Sequence, residues 1–93
     1  MVKSIVKRDG RVVDFNISKI ENAIIKAMNA VGERELEEAA KVAKLVEKEL
    51  DSKFSNIRPT VEQIQDCVES ALMKSGHEEV ARAYIIYRNK RNG

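Results

Sequence analysis

Lys7-Arg8-Asp9-Gly10-Arg11, followed by Phe15 and then by Lys19-Ile20, is the stretch on which the reading of this chain turns. Asp-Gly between two β-branched runs is a strong hairpin signal, because a tight primed turn needs positive φ and glycine supplies it. The runs are Val2 to Lys7 and Val12 to Phe15. With Asp9-Gly10 as a two-residue turn, Val6 is expected opposite Val13 and Ser4 opposite Phe15 on the core face. Lys7 with Val12, and Ile5 with Asp14, then share the other face. Lys7 and Arg8 point to opposite sides in that register unless a bulge intervenes. The helix that follows carries Lys19 in its first turn, against a dipole whose N-terminus is already positive. Cations gathered where backbone N–H groups also point outward suit an anion, and a phosphate is the natural candidate.

Working outward, Ser18 with Glu21 reads as a capping box opening the first helix. Ile20, Ala23, Ile24, Ala27, Met28 and Val31 form its apolar stripe, and Gly32 ends it. A second helix is expected from about residue 34 to about residue 50. Its inward residues are Leu36, Ala39, Ala40, Ala43, Val46 and Leu50, with Glu37 and Lys41 paired outside. Pro59 forces Arg58 out of helical space, and Ile57 is a candidate for a third strand beside the hairpin. Thr60 with Gln63 is a second capping box. It opens a helix that turns Val61, Ile64, Cys67, Val68, Ala71 and Leu72 inward and closes at Gly76. A last helix runs from about residue 78 to about residue 90, with Val80, Ala81, Tyr84, Ile85 and Tyr87 available for packing. The expected fold class is α+β, mostly α: an N-terminal hairpin on a four-helix bundle, in one domain over residues 1–93.

Composition bounds the function. The chain has 93 residues, 43% hydrophobic and 34% charged, which suits one small globular core. Net charge is only +2, so any basic function must come from local clustering, and residues 1–26 hold six basic against three acidic side chains. Cys67 is the single cysteine and His77 the single histidine, too few for a cysteine-based zinc cage or an intrachain disulfide. No apolar run is long enough to span a bilayer and no signal peptide is evident, so the expected location is cytoplasmic, with no membrane partner. There is no Gly-x-x-x-x-Gly-Lys-Ser/Thr loop, no two-histidine metal spacing and no nucleophile–base pair. Binding without catalysis is the expectation, with no catalytic and no metal-ligating residues assigned.

Several residues have plainer readings. Lys7 and Arg8 also suit solvated charges that blunt a hairpin edge. Asp9 and Gly10 are turn formers. Asn16 suits a helix start as well as a ligand contact. Ile5 and Ile20 are core residues by default. His77 reads as a helix-start residue, Cys67 as a small buried hydrophobe, and Tyr84 and Tyr87 as packing residues.

The order of segments carries a resemblance. An apolar strand, Lys7-Arg8-Asp9-Gly10-Arg11, a strand ending in Phe15, and Lys19-Ile20 are followed by Pro59-Thr60-Val61-Glu62-Gln63-Ile64-Gln65. Gly76-His77-Glu78-Glu79-Val80-Ala81-Arg82-Ala83-Tyr84 and Tyr87-Arg88 close the chain. This pattern resembles the ATP-cone domain, the nucleotide-binding regulatory module of many ribonucleotide reductases and of the transcriptional repressor of reductase genes. The resemblance covers essentially the whole chain. It implies ATP or dATP as effector, with Mg²⁺ arriving on the triphosphate, and no chemistry in the domain itself. It implies Lys7, Arg8 and Lys19 as phosphate contacts, Asn16 and Ile20 along sugar and base, and Ile5 closing the apolar side of the pocket. Gln65 falls where some members carry a histidine near the ligand. Lys90 or Arg88 would complete the cationic rim. The implied partner is a reductase catalytic body, first of all that of an anaerobic reductase, or another attached protein, with nucleotide-dependent self-association as a further expectation. The alternatives are a fragment of a nucleotide-responsive transcriptional regulator or a small nucleic-acid-binding domain. Low net charge and few aromatic stackers weigh against nucleic acid.

Overall fold

A computed structural model describes residues 2–92. In chain order they form β1 (Ser4–Val6), β2 (Val12–Asp14), α1 (Ile17–Ala30), α2 (Leu36–Lys53), α3 (Val61–Lys74) and α4 (Glu78–Asn92). The hairpin and the four helices are those expected. α1 packs on α2 and α4, and α3 packs on the same two, which closes the helices into a bundle. Ile24, Met28, Val42, Val46, Leu50, Val68, Leu72 and Val80 are sealed at its centre. Cys67 is a free buried thiol, and burial pushes its pKa up. Tyr84 is buried in the same core, with its ring centroid 6.1 Å from that of Tyr87.

The hairpin register differs from the expected one. Ser4 pairs with Asp14, Ile5 with Val13 and Val6 with Val12. The reason lies in the turn. Gly10 N–H donates to the Lys7 carbonyl at 2.9 Å, and Lys7 N–H donates to the Arg11 carbonyl at 2.8 Å. Arg8, Asp9 and Gly10 therefore make a three-residue loop in which Gly10, at φ 88°, is the bulge residue. One added loop residue slips the register by one and turns the β1 side chains to the other face relative to β2. Ile5, Val13 and Phe15 now share a face with Lys7 and Arg11.

Helix boundaries follow their caps. Asn16, not Ser18, caps α1: its backbone is extended, and Asn16 Oδ1 accepts from Ser18 N–H at 3.0 Å. Asparagine caps as well as serine does, and the chain leaves β2 already in the geometry a cap needs. Ser18 and Glu21 therefore form no capping box. The Thr60–Gln63 box is present in full at the start of α3. α1 and α3 both end in Schellman turns. Glu33 N–H donates to the Met28 carbonyl and His77 N–H to the Leu72 carbonyl, each at 2.9 Å. The His77 carbonyl accepts from Ala81 N–H at 2.9 Å as α4 begins, in keeping with a helix-start role.

α2 starts two residues later and ends three residues later than its stripe suggests. Leu36 is exposed, and Val42 takes a core position instead. Lys41 pairs with Glu38 at 3.6 Å rather than with Glu37. Ile85 is exposed, not packed. Ile57 is also exposed and forms no strand. The segment reaches the hairpin three residues on, through a single parallel bridge between Val6 and Thr60, with Val6 N–H donating to the Pro59 carbonyl at 2.9 Å. Proline has no N–H to extend a ladder, so the contact stops at one bridge before α3 begins. Arg58 Nε donates to Ser4 Oγ at 2.7 Å and holds the same junction.

Candidate functional site

The slipped hairpin faces the start of α1 and one side of α3, and a cavity of about 380 Å³ opens between them. This lies within the usual size range of small-ligand pockets. Its apolar wall combines Ile5, Val13 and Phe15 from the hairpin with Ile20 of α1 and Val61 and Ile64 of α3. Its polar side carries Lys7, Arg8, Arg11, Lys19 and Arg91, with Asp9, Asp14, Asn16 and Gln65. The walls thus suit a ligand that is flat and apolar at one end and strongly anionic at the other.

Each cation arrives by a different local cause. Lys7, which flanks the loop, and Arg8, its first residue, line the same cavity because the bulge turns them together; Lys7 is half-buried and Arg8 exposed. Arg8 Nε lies 3.6 Å from Glu62 Oε1, which tethers the loop to the first turn of α3. Asp9 accepts Arg11 N–H at 3.0 Å and Arg11 Nε at 2.7 Å, and these bonds to Arg11 hold its carboxyl below the usual range. Asp9 is therefore a loop brace. Lys19 stands in the first turn of α1, a turn with no acidic residue. Neither Lys7 nor Lys19 makes an ion pair among the described residues. Two cations with no carboxylate partner, beside a helix start without acids, leave positive potential in the cavity.

Of the residues singled out from sequence, Ile5, Lys7, Arg8, Asn16, Lys19, Ile20 and Gln65 line this one cavity. Arg88 and Lys90 do not. Arg88 is turned onto α3, where Nη1 donates to Asp66 Oδ1 at 2.8 Å and to Glu69 Oε1 at 2.7 Å. Lys90 is exposed on another side of α4. The cation that α4 brings to the cavity is Arg91. Helical phase signals it, since Tyr84, Arg88 and Arg91 fall at i, i+4 and i+7 on the face that carries the buried Tyr84. Arg11, Val13 and Phe15 share one face of the hairpin in either register, and the slip adds Ile5 and Lys7 to that face. Among the described residues Gln65 is the buried polar side chain, about 9% exposed, and it lies at the cavity wall.

A hairpin-capped helical bundle with a half-apolar, half-cationic cavity defines a small ligand-binding domain of a kind suited to phosphorylated ligands. The sequence model of the ATP cone domain matches residues 3–93, and the chain belongs to that family. Among curated proteins, it is 45% identical over 96 residues to a vitamin B12-dependent ribonucleoside-diphosphate reductase of Thermoplasma acidophilum, covering 98% of this chain and 12% of that protein. It is 44% identical over 85 residues to the enzyme of the same name in Mycobacterium tuberculosis, covering 91% and 12%. It is 34% identical over 92 residues to an anaerobic ribonucleoside-triphosphate reductase of Salmonella typhimurium, covering 99% and 12%. The chain thus spans about 12% of the length of these relatives. Among the described residues no helix is long and apolar enough to cross a membrane.

Proposed function

We infer that this chain is an allosteric nucleotide-binding domain that takes ATP or dATP in the hairpin cavity and performs no chemistry itself. One observation carries the reading: a single cavity joins an apolar wall to a rim holding Lys7 and Lys19, two cations with no ion-pair partner among the described residues. The base lies against Ile5, Phe15 and Ile20, with Gln65 at its edge. Asn16 lies along the sugar. The triphosphate runs toward Lys7, Arg8, Lys19 and Arg91, with Mg²⁺ bridging its oxygens and keeping several waters. Family membership and the names of the relatives support a ribonucleotide reductase catalytic body as the regulated partner. The proposed location is the cytoplasm. Nucleotide-dependent self-association is a further means of output. Coupling of about 1–3 kcal/mol between nucleotide and partner state suffices for such control.

Thermal melts with ATP, dATP, GTP and pyrophosphate test the reading. Ligand at a hundred times Kd adds about 2.7 kcal/mol of stability. ATP and dATP are expected to raise Tm more than GTP or pyrophosphate. Lys7→Ala and Lys19→Ala are expected to remove the rise and leave the unliganded melt unchanged. Variants that respond to ATP as the parent does would refute the phosphate assignment.

A further inference from the structure

At the far end of the bundle from the cavity, Glu33, Glu35 and His77 each present a ligand atom, and these atoms lie within 4.8 Å of one another. We propose that they form a binding site for a borderline divalent metal ion of the zinc type, independent of the nucleotide cavity. α1 runs from Lys19 at the cavity to Ala30, and the loop after it carries both glutamates. α4 starts just after His77 and ends beside Arg91 at the cavity. A helix of 14 residues is about 21 Å long, so the two sites do not share ligands.

Three features favour a metal over a chance meeting of acids. First, the cluster contains an imidazole whose orientation is already set. His77 has a side chain about 15% exposed, and its Nε2 lies 3.2 Å from Glu38 Oε2. A carboxylate behind a histidine is the usual outer support of a metal-bound imidazole. Second, Glu33 and His77 occupy equivalent places, one residue beyond the glycines of the two Schellman turns, each with its backbone N–H anchored at 2.9 Å. The backbone is fixed on both sides, and only side chains need to adjust. Third, Glu35 is the N-cap residue of α2, yet its side chain makes no capping hydrogen bond. Neither glutamate forms an ion pair among the described residues.

Bonds of about 2.0–2.2 Å at tetrahedral angles put donors roughly 3.4 Å apart, so the carboxylates need to close by little more than an ångström. Rotation about glutamate side chains supplies that. Mixed nitrogen and oxygen donors select zinc-type ions over Mg²⁺ or Ca²⁺, which prefer oxygen alone. Three protein ligands leave the fourth position to water. The ion would tie the α1–α2 loop to the α3–α4 turn.

The test is a calorimetric titration of the 93-residue chain with zinc sulfate, without nucleotide, alongside thermal melts. The parent is expected to bind one ion and to melt higher with zinc. Glu38→Gln is expected to weaken binding roughly 10–100-fold. His77→Gln, and Glu33→Gln combined with Glu35→Gln, are expected to abolish it. The glutamate variants keep the test decisive if His77→Gln fails to fold, because neither glutamate is a core residue. Absence of binding by the parent, or parent-like binding by the glutamate double variant, would overturn the proposal. So would zinc affinity unchanged in a folded His77→Gln.

Discussion

Arg88 and Arg91 lie three residues apart on α4, yet the structure assigns them opposite jobs, and their alanine variants should separate stability from ligand response. The Arg88 side chain is about 16% exposed and bonds two carboxylates of α3. Asp66 is about 68% exposed, and a contact to so solvated a partner is worth about 0–1 kcal/mol. Glu69 is about 26% exposed, and a hydrogen bond to a charged group in that setting contributes about 1.5–3 kcal/mol. Arg88→Ala removes both and leaves Glu69 half-buried without its cation, for a loss of about 2–3 kcal/mol. In a domain of this size each kcal/mol moves Tm by about 4–8 °C, so a fall of about 8–24 °C is expected. Arg91 is exposed, and its replacement should change stability by no more than about 0.5 kcal/mol. At a fixed ATP concentration near a hundred times the parent Kd, a tenfold weaker Kd cuts the stabilisation from about 2.7 to about 1.4 kcal/mol. Differential scanning fluorimetry with and without ATP reads both effects. Arg88→Ala should melt low and keep its ATP response. Arg91→Ala should melt as the parent does and lose about half of its response. A reversed pattern, in which Arg88→Ala alone loses the response, would refute the placement of α4 against the cavity.

Other consequences follow from the same geometry. Gly10→Ala meets no atom within 4 Å, so its cost is backbone strain alone, about 1–2 kcal/mol, seen as a lower unliganded Tm. Because Gly10 sets the loop that carries Arg8 and is flanked by Lys7, calorimetry should also show weaker ATP binding. Leu72→Ala empties a fully buried site and should cost about 2–5 kcal/mol in chemical denaturation, with m unchanged. The hydrogen bonds from Arg11 lower the pKa of Asp9 below 3.8, so its contribution to stability is present above that value and is lost as pH falls through the lower, folded pKa. Melts of the parent and Asp9→Asn should therefore differ near neutral pH and converge at strongly acidic pH.

Much of the helical architecture is visible in single residues. Gly32 and Gly76 mark the ends of α1 and α3, and Thr60 with Gln63 marks the start of α3, because caps and Schellman turns satisfy backbone groups locally. The start of α1 is not decided locally, since Asn16 and Ser18 are both good capping residues and the choice between them depends on where β2 releases the chain. Leu36 looks like a core residue by period, but α2 begins at that point and leaves it exposed. Ile57 looks like a strand residue by type, but a strand exists only where a neighbour offers a ladder, and β1 offers one bridge, at Thr60.

Local chemistry in the sequence determined the hairpin, the four helices, the family pattern and the gathering of cations near the N-terminus, because turns, caps and apolar periods are short-range properties. Only the tertiary structure decided which faces meet. The choice between a two-residue and a three-residue turn is small in energy, yet it moves every β1 side chain to the other face relative to β2, and packing against α1 and α3 settles it by partly burying Ile5 and leaving Val12 exposed. The same packing sets the rotation of α4, which commits Arg88 to the carboxylates of α3 and brings Arg91 to the cavity.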